Sequence, residues 1–164
     1  MSFAVMDQSP GTVTIAHTFG TIEVPTDAVM RFLEDLWGFP DRSDYALLPA
    51  QRDGVWWLMS VGEPSTTFVL VDPFVAQPAY ELDLGEAEKA RLKIESEADV
   101  IALVMVALPA SAGDQVTANL RAPLVFNLRE RLALQIVSRD ERWAMQEPID
   151  LAAYPRNEHG VSLS

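Results

Sequence analysis

The chain has 164 residues, of which 49% are hydrophobic and 9% aromatic; this fits one domain with a full core and excludes the disordered class. It contains no cysteine, which removes disulfides, thiolate metal sites and cysteine nucleophiles together and fits a reducing compartment. The net charge of −12 is unevenly placed, with 14 acidic and 3 basic side chains over residues 1–88 against 10 and 9 over 89–164. Such a surface opposes direct nucleic-acid binding and favours encounter with a basic partner, besides maintaining solubility.

The N-terminal MSFAVMDQSP lacks the basic start and long apolar core of a secretion signal. Residues 11–151 are expected to form one domain, with 1–10 and 152–164 as flexible tails. "GTVTIAHTFGTIEVP" alternates apolar and polar residues around Gly20 and predicts two strands joined by a tight turn. Ala28–Phe32 suits either a strand or a helix start, and Gly38, Pro40 and Asp41 then force a loop. "SDYALLP", "GVWWLMSV" and "TTFVLVDPF" are the next strand candidates, the last ending at Asp72-Pro73.

The composition changes at Leu84. "LGEAEKARLKI" predicts one short helix near 85–92, and "SEADV" a second helical turn capped by Ser96. The apolar run Val100–Leu108 reads as a doubly buried strand; it stops at Pro109 and is too short to cross a bilayer as a helix, so no membrane association is expected and the protein is read as cytoplasmic. "VTANLRAPLVFN", "ALQIVSRD" and "RWAMQEP" supply the last extended segments. Roughly ten short strands with one or two short helices predict an all-β, mainly antiparallel domain of barrel-like or pseudo-barrel form.

No constellation of catalytic residues emerges. The two histidines, His17 and His159, cannot make a metal site alone, and no phosphate-binding loop, nucleophile elbow or H-E-x-x-H motif is present. Asp83 with Glu86 resembles a carboxylate pair, yet acidic residues also suit the positive end of a helix. Trp56-Trp57 suggests base stacking, but adjacent strand residues face opposite ways, one into the core and one to an interface. Neither an enzyme nor a cofactor is expected. The alternative kept open is an enzymatic or small-ligand-binding β-barrel with an interior cavity.

The segments "GTIEVPTDAVMRF", "YALLP", "WLMSV", "TFVLVDPF", "ESEADVIALVMVALP", "VTANLRAPLVFN" and "QIV" occur in an order that resembles the flagellar assembly factor FliW family, over about residues 15–148. The most specific pieces are Asp72-Pro73-Phe74 and the block around "TANLRAPLVFN", which is similar to a family pattern T-x-N-L-x-A-P-I-V-I-N. The resemblance implies a small non-enzymatic β-barrel-like protein without a cofactor. FliW-type proteins bind the translational regulator CsrA, relieving repression of flagellin messenger RNA, and also bind flagellin, so the two partners exchange. Inhibition of CsrA in the family is thought to be allosteric, so acidity need not mean RNA mimicry. The chain departs from the family's usual residues at Asp35 and Trp37, within the stretch that commonly reads G-L-P-G-F, and at Met59 and Glu147.

Within this reading, Val116, Ala118, Leu120, Leu124 and Phe126 line the core face of one extended strand interrupted at Pro123. Thr117, Asn119 and Arg121 face outward as partner-binding residues, or else Thr117 and Asn119 merely satisfy neighbouring backbone groups. Asp72, Pro73 and Phe74 make a turn that presents an acid and an aromatic ring to a partner. Asp41 and Asp44 supply electrostatic steering.

Overall fold

The computed structural model describes residues 11–17, 20–62, 65–109, 111 and 113–163. β1 (Thr12–His17) and β2 (Gly20–Pro25) pair as an antiparallel hairpin of their own, as the alternation around Gly20 predicts. Then follow β3 (Val29–Phe32), β4 (Asp44–Pro49), β5 (Val55–Ser60) and β6 (Thr67–Val71), in which β4, β5 and β6 each run antiparallel to the strand before. Two short helices come next: α1 (Pro73–Ala76) and α2 (Glu86–Arg91). Gly85 starts α2, whose acidic residues Glu86 and Glu88 lie in the first turn and basic Lys89 and Arg91 in the last, matching the helix dipole. A 3-10 turn over Glu97–Asp99 is capped by the Ser96 side chain, which accepts from the Ala98 N–H.

β7 (Val100–Ala107) carries the second half of the architecture. It pairs with β6 on one edge; on the other it meets β8 (Thr117–Ala118) and β9 (Leu124–Asn127). β10 (Leu132–Gln135) pairs with β9 and lies parallel to β3. β3-β4-β5-β6-β7-β9-β10 therefore close into a seven-strand barrel, in which β3–β10 is the one parallel pairing. β11 (Glu147–Pro148) adds only to β8, and the stretch 142–146 before it is turn and loop rather than the strand expected of "RWAMQEP".

A seven-strand ring is narrow, and side chains fill it. Phe32 stands edge-on to Tyr45 at 5.1 Å and to Phe126 at 5.7 Å between centroids, with Leu58, Leu70 and Leu103 completing the packing. The β1–β2 hairpin lies over the outside of β4 and β5 and buries Ala46, Leu48 and Met59 against Ile15 and Val24. Both faces of β4 are thus covered, which is why "YALL" is apolar without alternation. Trp56 and Trp57 face opposite ways as expected, Trp56 packing on the interior cluster and Trp57 on the outer ones.

Two expectations are corrected. Residues 116–127 are not one strand. From Ala118 to Leu124 the chain takes six steps while its partner β7 takes three, Val106 to Leu103, so three extra residues loop out. An odd insertion turns the pleat over. Ala118 and Leu120 accordingly join a cluster outside the barrel with Tyr80 and Trp143, whereas Leu124 and Phe126 point inside.

The other correction concerns 152–164, expected as a flexible tail. Tyr154 is fully buried, and Val161 pairs with Ala50 while its carbonyl accepts the Trp57 indole N–H at 2.9 Å. Gly160 lies so close to the Ala50 carbonyl that a Cβ would collide with it. Apolar anchors hidden in a low-periodicity segment hold this end down. The other expected tail, residues 1–10, lies outside the described residues.

Candidate functional site

The turn after β6 is built by Asp72. Its carboxylate accepts from the Phe74 N–H at 2.9 Å and so caps α1, and Pro73 occupies the first helical position, where its missing N–H costs nothing. The Tyr154 hydroxyl donates to the Asp72 carbonyl at 2.8 Å, tying the C-terminal segment to this corner. Pro73 is buried and Phe74 is 45% exposed, so the turn presents one ring on a braced backbone.

Tyr80 supports that ring from behind, at 5.5 Å and an interplanar angle of 72°. Its hydroxyl donates to the Leu120 carbonyl at 2.8 Å. Through Tyr80 the structure brings the Asp72-Pro73-Phe74 corner together with the Asn119-Leu120-Arg121 turn, two groups that the sequence had only placed separately. Burial drives the Tyr80 phenol up to about 12. Trp143 packs on Tyr80 at 4.9 Å, and the Arg142 guanidinium lies 4.7 Å above the indole. Arg142 is itself held by Asp140 at 2.6 Å, and that hydrogen-bonded pairing lowers the Asp140 carboxyl from its ordinary value.

Asn119 is half-buried, and its Oδ1 accepts from the N–H of Arg121 and of Ala122 at 3.1 and 3.2 Å. Of its two expected roles, the side-chain oxygen fills the backbone-satisfying one; its amide N–H groups make no hydrogen bond among the described residues. Arg121 is half-buried and makes no ion pair among them. Thr117 pairs with Ala107 and Pro148 and is half-exposed.

Asp41 and Asp44 are not at this corner. Asp41 lies in the β3–β4 connection and Asp44 opens β4, three strands from β7 around the ring. Asp41 has φ 67 and its N–H donates to Asp35; Asp44 pairs with Arg31 at 3.4 Å. Of the departures from the family pattern, Trp37 is exposed, Glu147 lies in β11, and Met59 is buried under the hairpin, where it changes packing rather than surface.

Sequence reasoning missed Tyr80 and Asn127. Tyr80 sits in "QPAYELD", which has no periodicity, and its partner Leu120 is 40 positions away. Asn127 is fully buried; its Nδ2 donates to the carbonyls of Leu92 and Lys93, and its Oδ1 accepts from Arg129 and Glu130. Among the described residues no group of three metal-ligating side chains occurs, and no helix is long and apolar enough to cross a membrane. Beside the corner, Phe74, Leu82, Leu84 and Ile94 line an open cleft of about 510 Å³.

A family model described as FliW protein matches residues 14–149. The chain is 31% identical over 140 residues to a "Flagellar assembly factor FliW" from Treponema denticola, covering 84% of this chain and 95% of that protein. It is 37% identical over 118 residues to the protein of that name from Geobacillus thermodenitrificans, covering 72% and 81%. A crystal structure of the flagellar assembly factor FliW superposes with a TM-score of 0.72 at 31% identity, over 84% of this chain and 96% of the other.

Proposed function

This chain belongs to the FliW family of flagellar assembly factors, and from that premise we propose that it binds CsrA and flagellin in turn, acting in the cytoplasm without catalysing a reaction. Binding of CsrA lifts repression of flagellin messenger RNA, and secretion of flagellin frees this protein to bind CsrA. The observation that carries the reading is the corner itself. Phe74 is exposed on a backbone fixed by Asp72 and Tyr154 and backed by Tyr80, whose hydroxyl ties this corner to the Asn119-Leu120-Arg121 turn, and a braced, exposed aromatic is the usual chemistry of a protein-binding hot spot. The acidic balance of residues 1–88 suits a basic partner and opposes RNA. An interior ligand site, the alternative, competes for space with Phe32, Tyr45 and Phe126.

In this reading Asp72, Pro73, Phe74, Thr117, Asn119 and Arg121 make the short-range contacts, and Asp41 and Asp44 steer. A mobility-shift titration should show the protein dissolving CsrA–RNA complexes while leaving free RNA unshifted. Direct RNA binding, or CsrA–RNA complexes untouched at excess, sinks the reading. Phe74→Ala or Asn119→Ala should speed partner dissociation by about 1–2 kcal/mol at any salt concentration. Asp41→Lys with Asp44→Lys should slow association at low salt only. If Phe74→Ala unfolds the domain, or Asn119→Ala leaves the dissociation of both partners unchanged, the placement is wrong.

A further inference from the structure

We propose that the tip of the β3–β4 loop, at Trp37, is a second docking point that takes an arginine side chain of a protein partner. Among the described residues two aromatic rings are exposed, Phe74 at 45% and Trp37 at 57%. Trp37 is held out by its neighbours. Leu36 is buried in the barrel interior, and Phe39 packs edge-on to Phe68 there at 4.8 Å between centroids. The Phe39 N–H donates to the Leu36 carbonyl at 2.9 Å, which closes a tight turn with Gly38 at φ 84. Trp37 is left at the tip, and its own N–H donates to Gln135 Oε1 at 3.2 Å. The indole therefore stands in water on a backbone already fixed, and a partner need not order the loop to use it.

The surroundings of the ring decide what it takes. Residues 33–43 hold three acidic side chains and one basic. Glu34 is paired with Arg91 at 2.6 Å, whereas Asp35 and Asp41 are exposed and make no ion pair among the described residues. The Asp35 carboxylate accepts from the Asp41 N–H at 3.4 Å, which brings the two acids together across the base of the turn. Arg42, the one cation of the loop, donates to the Ser60 hydroxyl at 3.2 Å. The protein shows elsewhere how such a set is completed. At Trp143 the Arg142 guanidinium lies 4.7 Å from the ring centroid and is held by the Asp140 carboxylate at 2.6 Å. At Trp37 the indole and the carboxylates are in place, and among the described residues no cation lies over the ring. A flat guanidinium stacks on an indole and engages a carboxylate at its edge, which a lysine ammonium does less well. Gln135 also lines an open cleft of about 450 Å³ with Leu134, Ile136 and Val137, the last 48% exposed, so apolar residues beside the arginine find a place. Arg139 at that cleft, without an ion pair among the described residues, keeps the incoming cation at the indole.

This rests on the reading of the protein as a binder of protein partners, so the probe is a synthetic peptide that lets the two fail separately. In an NMR titration, acetyl-Val-Arg-Val-amide should shift the Trp37 indole N–H and the Gly38 amide saturably, leaving the indoles of Trp56 and Trp143 in place. The same peptide with citrulline for arginine, which keeps the shape and loses the charge, should bind at least about fivefold more weakly. Trp37→Leu should cost at least about fivefold, read at the Gly38 amide, with Tm unchanged because the ring is exposed. Asp35→Asn with Asp41→Asn keeps an acceptor for the turn and should cost about threefold at low salt and little at high salt. Equal affinity for the arginine and citrulline peptides overturns the proposal. Undiminished binding to Trp37→Leu, or no saturable shift at Trp37, overturns it as well. A protein that takes the arginine peptide at Trp37 but binds neither CsrA nor flagellin would overturn the proposed function and leave this site standing.

Discussion

Asn119-Leu120-Arg121 and Asn127-Leu128-Arg129 lie eight residues apart and bend the backbone in the same way. In each, the asparagine Oδ1 accepts from the main-chain N–H groups two and three residues further on, at 3.1 and 3.2 Å. Their surroundings are opposite. At the first turn Leu120 is buried and the asparagine amide is unspent. At the second Asn127 is buried with its amide donating to Leu92 and Lys93, Leu128 is exposed, and Arg129 pairs with Glu95 and Asp99. Identical tripeptides set identical turns, and the pleat and the neighbouring elements decide which residue is structural. Where the asparagine is consumed by the fold, the turn clamps the end of α2; where it is not, the amide stays unspent among the described residues.

The contrast is most sharply tested at the leucines. Leu120→Ala should destabilise by about 3 kcal/mol, and Leu128→Ala by less than about 0.5 kcal/mol, in urea unfolding at fixed pH. Similar costs would break the comparison. Asn127→Ala removes the partner of two carbonyls and two N–H groups, the Leu92 carbonyl among them buried, and should cost about 2–3 kcal/mol, against about 1 kcal/mol for Asn119→Ala. A thermal-melt series on the two variants checks the order.

Alkaline pH sharpens the first turn alone. Because the folded-state phenols of Tyr80 and Tyr154 are pushed up to about 12 from 10.0, the folded protein holds protons that the unfolded chain releases. Stability is thus full below pH 10 and falls as pH rises from 10 through 12. Tyr80→Phe should flatten that fall, seen as a smaller drop in Tm between pH 9 and 11, while Asn127→Ala leaves its slope unchanged. The smallest effect is expected from Arg129→Gln, under about 0.5 kcal/mol, since its ion pairs are exposed.

The hairpin at Gly20, the capped turn at Asp72-Pro73 and the helix at 86–91 were legible because turn residues, caps and charge order are local signals. The loop-out within 116–127 was not. Val116, Ala118, Leu120, Leu124 and Phe126 keep an even spacing across it, so alternation continues on paper while the three extra residues turn the chain over against β7. Tyr154 and Val161 escaped notice for a different reason. Their partners, Asp72 and Trp57, lie 82 and 104 positions away, and no local pattern encodes such a contact. For the candidate site, the turn at Asp72-Pro73 was legible as a turn, and Tyr80, the ring that joins it to Leu120, was not.

The parallel seam between β3 and β10 governs when the protein can fold during its own synthesis. Leu132 meets Arg31, 101 positions earlier, through a register of only two residue pairs. At roughly 5–20 residues per second, β3 waits on the order of 5–20 s after leaving the ribosome before its partner strand is made. Once β4 to β6 have been made, β3 to β6 can pair only as an open sheet whose β3 edge is a template for any strand nearby. The chain carries most of its negative charge in this same early half, 14 acidic against 3 basic residues over 1–88, so nascent copies repel one another while their edges are uncovered.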